Sequence, residues 1–185
     1  VPAALNATLR PYQIDGFHFL AYLAVNGFGG ILADDMGLGK TIQSITYMLW
    51  LREDFIARNK QGRKKVVIPP VLIVCPKSVL DVWAGETEKF APGIRVLVIR
   101  NKEQAVVEDI LANYDMVVIN YAQLRVCGEQ INSIKWLTVI LDEGQQIKNP
   151  DSKAAKSARE LTAYNRLVLS GTPIENRLLD MWSLM

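Results

Sequence analysis

At 185 residues, half of them hydrophobic and 22% charged, the chain is long enough for one domain with a real core and too short for two comfortable ones. That balance excludes a disordered or fibrous polypeptide. The longest apolar stretch, residues 66–75, is broken by Pro69-Pro70 and cannot span a bilayer, while a formal charge of +2 neither requires nor excludes a nucleic-acid partner.

The first segment with helical spacing carries Ile14, Phe17, Ala21 and Ala24 along one stripe. A short apolar run at 30–33 follows and feeds Asp34-Asp35-Met36-Gly37-Leu38-Gly39-Lys40-Thr41, after which Ile42, Ile45 and Leu49 mark a second helix. A glycine-rich turn between strand and helix offers backbone N–H groups and the positive end of the helix dipole to phosphates. Gly37 and Gly39 let the chain wrap closely, Lys40 can reach β- and γ-phosphates, and the Thr41 hydroxyl can ligate Mg²⁺. The general pattern opens on glycine where this chain has Asp34. With a strand before it and a helix after it, the segment reads as a nucleoside triphosphate site.

Residues 58–70 are rich in Arg and Lys and predict a long solvated loop inside the domain, with a phosphate-contacting loop as the alternative. The runs at 71–74, 96–99, 116–119, 138–141 and 167–169 are near-continuously apolar, as strands covered on both faces are. Ala154, Ala158 and Leu161 line another helix that Asp151 or Ser152 could cap. Strand–helix alternation predicts an α/β fold: a three-layer, open, mostly parallel sheet with helices on both faces. Ligands in such sheets bind at the carboxyl ends of the strands, here the loops after Ala33, Val74, Ile119, Leu141 and Leu169. The isolated Cys75 and Cys127 fit a reduced, intracellular compartment, and no secretory leader opens the chain. Val1 in place of Met, and a helical pattern still running at Met185, read as boundaries within a longer protein.

The 138–141 run ends in Asp142-Glu143-Gly144-Gln145. Adjacent carboxylates at the end of a buried strand are costly unless a cation or a proton-transfer role justifies them. Asp142 is placed to hold Mg²⁺ opposite Thr41, and Glu143 to orient and activate a water at the γ-phosphate. A solvated pair at a strand end is the plain alternative, and small-molecule kinases share the phosphate loop.

Five further segments narrow the choice: Leu9-Arg10-Pro11-Tyr12-Gln13; Cys75-Pro76-Lys77-Ser78-Val79-Leu80 with Trp83 and Phe90 after it; Val117-Val118-Ile119-Asn120-Tyr121; Gln145-Gln146-Ile147-Lys148-Asn149; and Ser170-Gly171-Thr172-Pro173-Ile174-Glu175-Asn176 leading into Leu179-Asp180-Met181-Trp182-Ser183-Leu184. Together, in this order, they resemble the first RecA-like lobe of the SWI/SNF-type remodeller and translocase ATPases of helicase superfamily 2. The resemblance runs from about Leu9 to the last residue. It implies ATP and Mg²⁺ as ligands, with Gln13 reading the adenine edge. It implies nucleotide contacts through Asp35, Met36, Gly37, Leu38, Gly39, Lys40 and Thr41, and catalytic roles for Lys40, Asp142, Glu143 and Gln145. Pro76, Lys77, Ser78, Asn120 and Tyr121 match positions that touch the sugar-phosphate backbone of double-stranded DNA. Ser170, Gly171 and Thr172 resemble the motif that couples ATP state to that contact. Contacts of this kind read no base sequence.

The resemblance further implies a single N-terminal ATP-binding domain that works as a monomer against a second RecA-like lobe of the same parent chain, with no membrane association. Without that lobe's arginine, the fragment is expected to bind nucleotide and DNA weakly and to turn over negligibly. Gln145, where many eukaryotic members carry His, points to a bacterial source and a cytoplasmic, nucleoid-associated setting, with a nuclear one as the alternative for a eukaryotic source. A strand-separating DNA or RNA helicase is the rival enzyme, disfavoured by Gln146 to Asn149 and Ile174 to Asn176. Plain readings also stand for single residues: Lys77 as a surface lysine, Ser78 as a helix cap, Gln13 as an exposed helix residue, and Trp83, Trp136 and Trp182 as core or interface packing.

Overall fold

The computed structural model describes residues 1–35, 37–60, 66–147, 149 and 151–171. Six strands, β1 (Gly30–Leu32), β2 (Val71–Cys75), β3 (Val96–Ile99), β4 (Met116–Asn120), β5 (Lys135–Leu141) and β6 (Thr162–Leu169), form one sheet in the order β1-β6-β5-β2-β4-β3. Every pairing is parallel. The apolar runs become strands because both faces are covered. Along β2, Leu72 and Val74 belong to one core cluster, while Val71, Ile73 and Cys75 belong to the other.

Helices α1 (Pro11–Val25), α2 (Lys40–Asn59) and α3 (Leu80–Phe90) cover one face through Phe17, Leu20, Ile45, Met48, Leu80 and Trp83. The opposite face is covered by α4 (Val107–Asn113), α5 (Tyr121–Val126), α6 (Gly128–Asn132) and α7 (Lys153–Glu160) through Ile110, Leu124, Ile131, Ala155 and Ala158. Full burial of such side chains contributes about 1.5–3 kcal/mol each. Ser152 rather than Asp151 caps α7, accepting from the Ala155 N–H.

Two strands run further back than the apolar runs predict. β5 begins at Lys135, exposed ahead of the fully buried Trp136 and Leu137, and β6 begins at Thr162, where exposed and half-buried residues alternate before the buried run. At the start of β6 one side meets solvent, and the Lys135 ammonium lies over the Tyr164 ring, 3.9 Å from its centroid. Arg58, expected in the basic loop, closes α2 instead and pairs with Asp54 at 2.7 Å. The rest of that loop includes residues 61–65, which lie outside the described residues.

Register brings the strand ends level. Cys75 pairs with Asn120, Val74 with Leu141, Leu141 with Val168, and Leu32 with Leu169. The phosphate loop, the 76–79 turn, Asn120-Tyr121, Asp142-Glu143 and Ser170 therefore share one edge of the sheet. At the opposite end Asp115 receives Arg52 at 2.8 Å and Arg95 at 2.9 Å. Burial pushes its pKa up, but the hydrogen bonds and charges of the two arginines outweigh this and hold it below the ordinary carboxylate value.

Candidate functional site

The phosphate loop joins β1 to α2 through two glycines in left-handed backbone, Gly37 at φ 86° and Gly39 at φ 80°. Lys40, at the first position of α2, donates from Nζ to the carbonyls of Asp34 at 2.8 Å and Asp35 at 3.2 Å. Gln13 lies across the loop from α1. Its Oε1 accepts from the Arg10 N–H at 2.9 Å, and its Nε2 donates to the Leu38 carbonyl at 3.2 Å. It is buried, not exposed, and a Cβ on Gly39 would sit 2.5 Å from its Nε2.

Asp34, which replaces the usual glycine, is held from beneath. Gln43 of α2 donates from Nε2 to Asp34 Oδ2 at 3.2 Å. Gln43 is wholly buried, and its Oε1 has no hydrogen-bond partner among the described residues. It lies against Gly16 of α1, where a Cβ would come within 2.0 Å of Oε1. Sequence reasoning passed Gln43 over. The available signal was a polar residue on the apolar face between Ile42 and Ile45.

At the end of β5 the Asp142 backbone is pinned twice: its N–H donates to the Val74 carbonyl at 2.8 Å, and its carbonyl accepts from the Tyr121 hydroxyl at 2.7 Å. Its carboxylate accepts from the Trp83 indole N–H at 2.8 Å on Oδ2 and from the Glu143 N–H at 2.9 Å on Oδ1. Burial raises the Asp142 pKa and the Glu143 charge adds to this, while the Trp83 and Glu143 hydrogen bonds and the Lys40 charge work against it. Lys40 is thus close enough for its charge to be felt at Asp142. Burial, and then the neighbouring Asp142, Cys75 and Glu143, push the Tyr121 hydroxyl well above its ordinary value.

Glu143 has φ 52°, a conformation that costs a non-glycine residue on the order of 1–3 kcal/mol unless its surroundings impose it. Those surroundings are visible. Gln145 donates from Nε2 to Glu143 Oε2, and its Oε1 accepts from the Ser170 hydroxyl at 3.1 Å. The Ser170 N–H donates to the Leu32 carbonyl at 3.1 Å. A hydrogen-bonded route therefore runs from the strand that feeds the phosphate loop to Glu143.

The segments expected to face DNA divide into two groups. Lys77 and Ser78 are exposed in a 3₁₀ turn at Lys77–Val79, and Pro76 beside them is half-buried. Asn120 and Tyr121 are buried. Asn120 caps α5, its Oδ1 accepting from the Ala122 and Gln123 N–H groups at 2.9 Å, and Tyr121 holds the Asp142 carbonyl. Ser170 is buried with its hydroxyl turned to Gln145, and Gly171 is half-buried. Met36, Lys148, Thr172 and the whole segment from Pro173 to Met185 lie outside the described residues.

No group of three or more His, Cys, Asp or Glu able to hold a metal occurs among the described residues. What the site does offer is the Asp142 carboxylate, with Glu143 next to it, and the half-buried Thr41 hydroxyl in the first turn of α2. Hard oxygen donors in that small number suit Mg²⁺, which keeps waters and shares phosphate oxygens instead of filling an all-protein cage. Among the described residues no helix is long and apolar enough to cross a membrane.

A family model described as "SNF2-related domain" matches residues 12–185. Over its full length the chain is 41% identical to a Bacillus subtilis protein named "Putative ATP-dependent helicase/translocase YwqA", of which it covers 19%. It is 38% identical to the TATA-binding protein-associated factor MOT1 of Saccharomyces cerevisiae, covering 10% of that protein. The Sulfolobus solfataricus SWI2/SNF2 ATPase core, solved in complex with double-stranded DNA, superposes on the whole chain with a TM-score of 0.82 at 39% identity. The chain spans 36% of that core.

Proposed function

The chain belongs to the SNF2-related domain family, and we propose that it is the ATP-binding lobe of a motor that hydrolyses ATP to move along double-stranded DNA. The observation that carries this reading is the strand register that brings the loop holding Lys40 and the Asp142-Glu143 pair to one carboxyl edge of the sheet, with the exposed Lys77-Ser78 turn on the same edge. In this reading the N–H groups of the loop from Asp35 to Thr41, Met36 included, and the Lys40 ammonium hold the phosphates. Gln13, already fixed on the Leu38 carbonyl, sets the adenine edge. Thr41 and Asp142 would hold Mg²⁺, whose charge offsets that of the β- and γ-phosphate oxygens. Glu143, steered by Gln145, takes a proton from the attacking water.

Lys77 and Ser78, with Pro76, contact the DNA backbone. The buried Asn120 and Tyr121 shape the adjoining strand end, and Ser170, Gly171 and Thr172 pass the state of the nucleotide to it. A second RecA-like lobe of the same polypeptide closes the site and supplies an arginine, so the parent acts as a monomer and this single lobe alone turns over negligibly. Gln145 supports a bacterial, cytoplasmic source, although the relatives include yeast as well as bacterial proteins.

The test is a titration of the 185-residue chain with labelled Mg-ADP and a slowly hydrolysed ATP analogue, beside Lys40→Ala, with an ATPase assay on duplex DNA. Saturable binding that the variant loses, without duplex-stimulated turnover, is expected. Absence of binding by the unaltered chain overturns the nucleotide site, and brisk duplex-stimulated hydrolysis overturns the need for a second lobe.

A further inference from the structure

We infer that Trp83 is a positioning residue for the cation site: its indole N–H holds the Asp142 carboxylate in the one orientation that presents it to Mg²⁺. The inference rests on the nucleotide-site reading above and concerns a residue that reading does not use. Trp83 is 1% exposed, and its Nε1 donates to Asp142 Oδ2 at 2.8 Å. A buried indole N–H needs an acceptor, but a backbone carbonyl serves as well; Trp136 uses that of Ile131 at 3.0 Å. Trp83 instead reaches from α3 on one face of the sheet to the end of β5.

The geometry leaves the carboxylate little freedom. Hydrogen bonds at both the N–H and the carbonyl fix the Asp142 backbone, so only the side-chain torsions remain. Oδ1 is taken by the Glu143 N–H and Oδ2 by Trp83, so rotating the carboxylate breaks two bonds at once. Each oxygen keeps a second lone pair for a cation. Without the indole N–H only the Glu143 bond steers the group, and a residue at φ 52° provides that bond. Hydrogen-bond partners of metal-binding carboxylates tune metal affinity by about 10- to 100-fold.

The measurement is nucleotide affinity in EDTA and in saturating Mg²⁺, together with the Mg²⁺ half-point, for the unaltered chain and Trp83→Phe. We expect the half-point to rise about 10- to 100-fold in the variant while affinity in EDTA stays within about twofold. A purely structural role would instead lower both affinities together, and that parallel loss, or an unchanged half-point, overturns the inference. Should Trp83→Phe fail to fold, 3-benzothienylalanine at position 83 keeps the ring volume and replaces the N–H with sulfur, and the same outcomes apply. An unaltered chain that binds nucleotide with no gain from Mg²⁺ overturns the cation site and this inference with it. A normal gain that survives loss of the N–H overturns only the inference.

Discussion

Gly37 and Gly39 share a backbone conformation and differ in surroundings, so alanine at each separates backbone strain from contact. Both lie in the left-handed region, where a Cβ costs about 1–2 kcal/mol. At Gly37 the new Cβ meets nothing within 4 Å, so Gly37→Ala should lower stability by about that amount alone. At Gly39 the Cβ would stand 2.5 Å from Gln13 Nε2, and the amide must move. Moving it sacrifices the bonds to the Leu38 carbonyl and the Arg10 N–H, each worth about 0.5–1.5 kcal/mol net. Gly39→Ala should therefore cost about 2–5 kcal/mol, by urea unfolding at fixed m-value. In a Gln13→Ala background those bonds are already gone, and the cost of Gly39→Ala should fall toward that of Gly37→Ala, with only the Ile42 Cγ2 contact at 3.2 Å left above it. Equal costs for the two single variants, or no relief in the double variant, would refute the claim that Gln13 braces the loop.

Gly144→Ala places a Cβ 2.4 Å from Val168 Cγ1 on a packed strand, and overpacking of that kind should destabilise by about 1–3 kcal/mol. Val168→Ala as a second change should recover part of that loss in the same unfolding assay. The cysteines give a pH-dependent readout. Burial, and then the charge of Asp142, push the Cys75 thiol up to about 12, and burial raises Cys127 as well. At pH 8 about one Cys75 in ten thousand is then thiolate, the reactive form. Neither thiol should react with a disulfide reagent in native chain at that pH, reactivity should grow as pH rises, and both should titrate at once in denaturant. Fast reaction under native conditions would contradict the burial.

Most of the scaffold was legible because strands covered on both faces announce themselves as continuous apolar runs. All six expected strands are present, and the loops after them do share one edge. That signal fades at Lys135, a charged and exposed residue ahead of a buried run, and along the first half of β6, where one side meets solvent. In the site, residue types and spacing exposed the groups proposed to meet ligands, such as Lys40, Asp142 and Glu143. They did not expose the groups that hold those in place. Trp83 lies 59 residues from Asp142 in sequence, and Gln43 is one of several polar residues in α2, beside Ser44 and Thr46. Partnerships of that kind depend on tertiary register, which a single sequence carries only implicitly. Asn120 and Tyr121 show the converse: the motif was visible, but their side chains are bonded within the chain instead of facing outward.

The carboxyl edge is also where the fold accepts local costs. Asp142 is a partly buried anion, Glu143 sits in left-handed backbone, and Gln43 keeps a buried oxygen without a partner among the described residues. Because burial raises the Asp142 pKa above its unfolded value, the sign of the linkage is unfavourable. Its ionised form lowers stability once pH exceeds the folded pKa, and the cost disappears only in acid, below the unfolded value. A cation near Asp142 relieves that cost, and Lys40 already does so in part. Lys40, however, also bonds the Asp34 and Asp35 carbonyls, so it belongs to the phosphate loop as much as to the acid. One lysine shared between the two halves makes each half sensitive to what occupies the other. In the function proposed above, that dependence would couple the binding of a phosphate chain to that of its counter-ion.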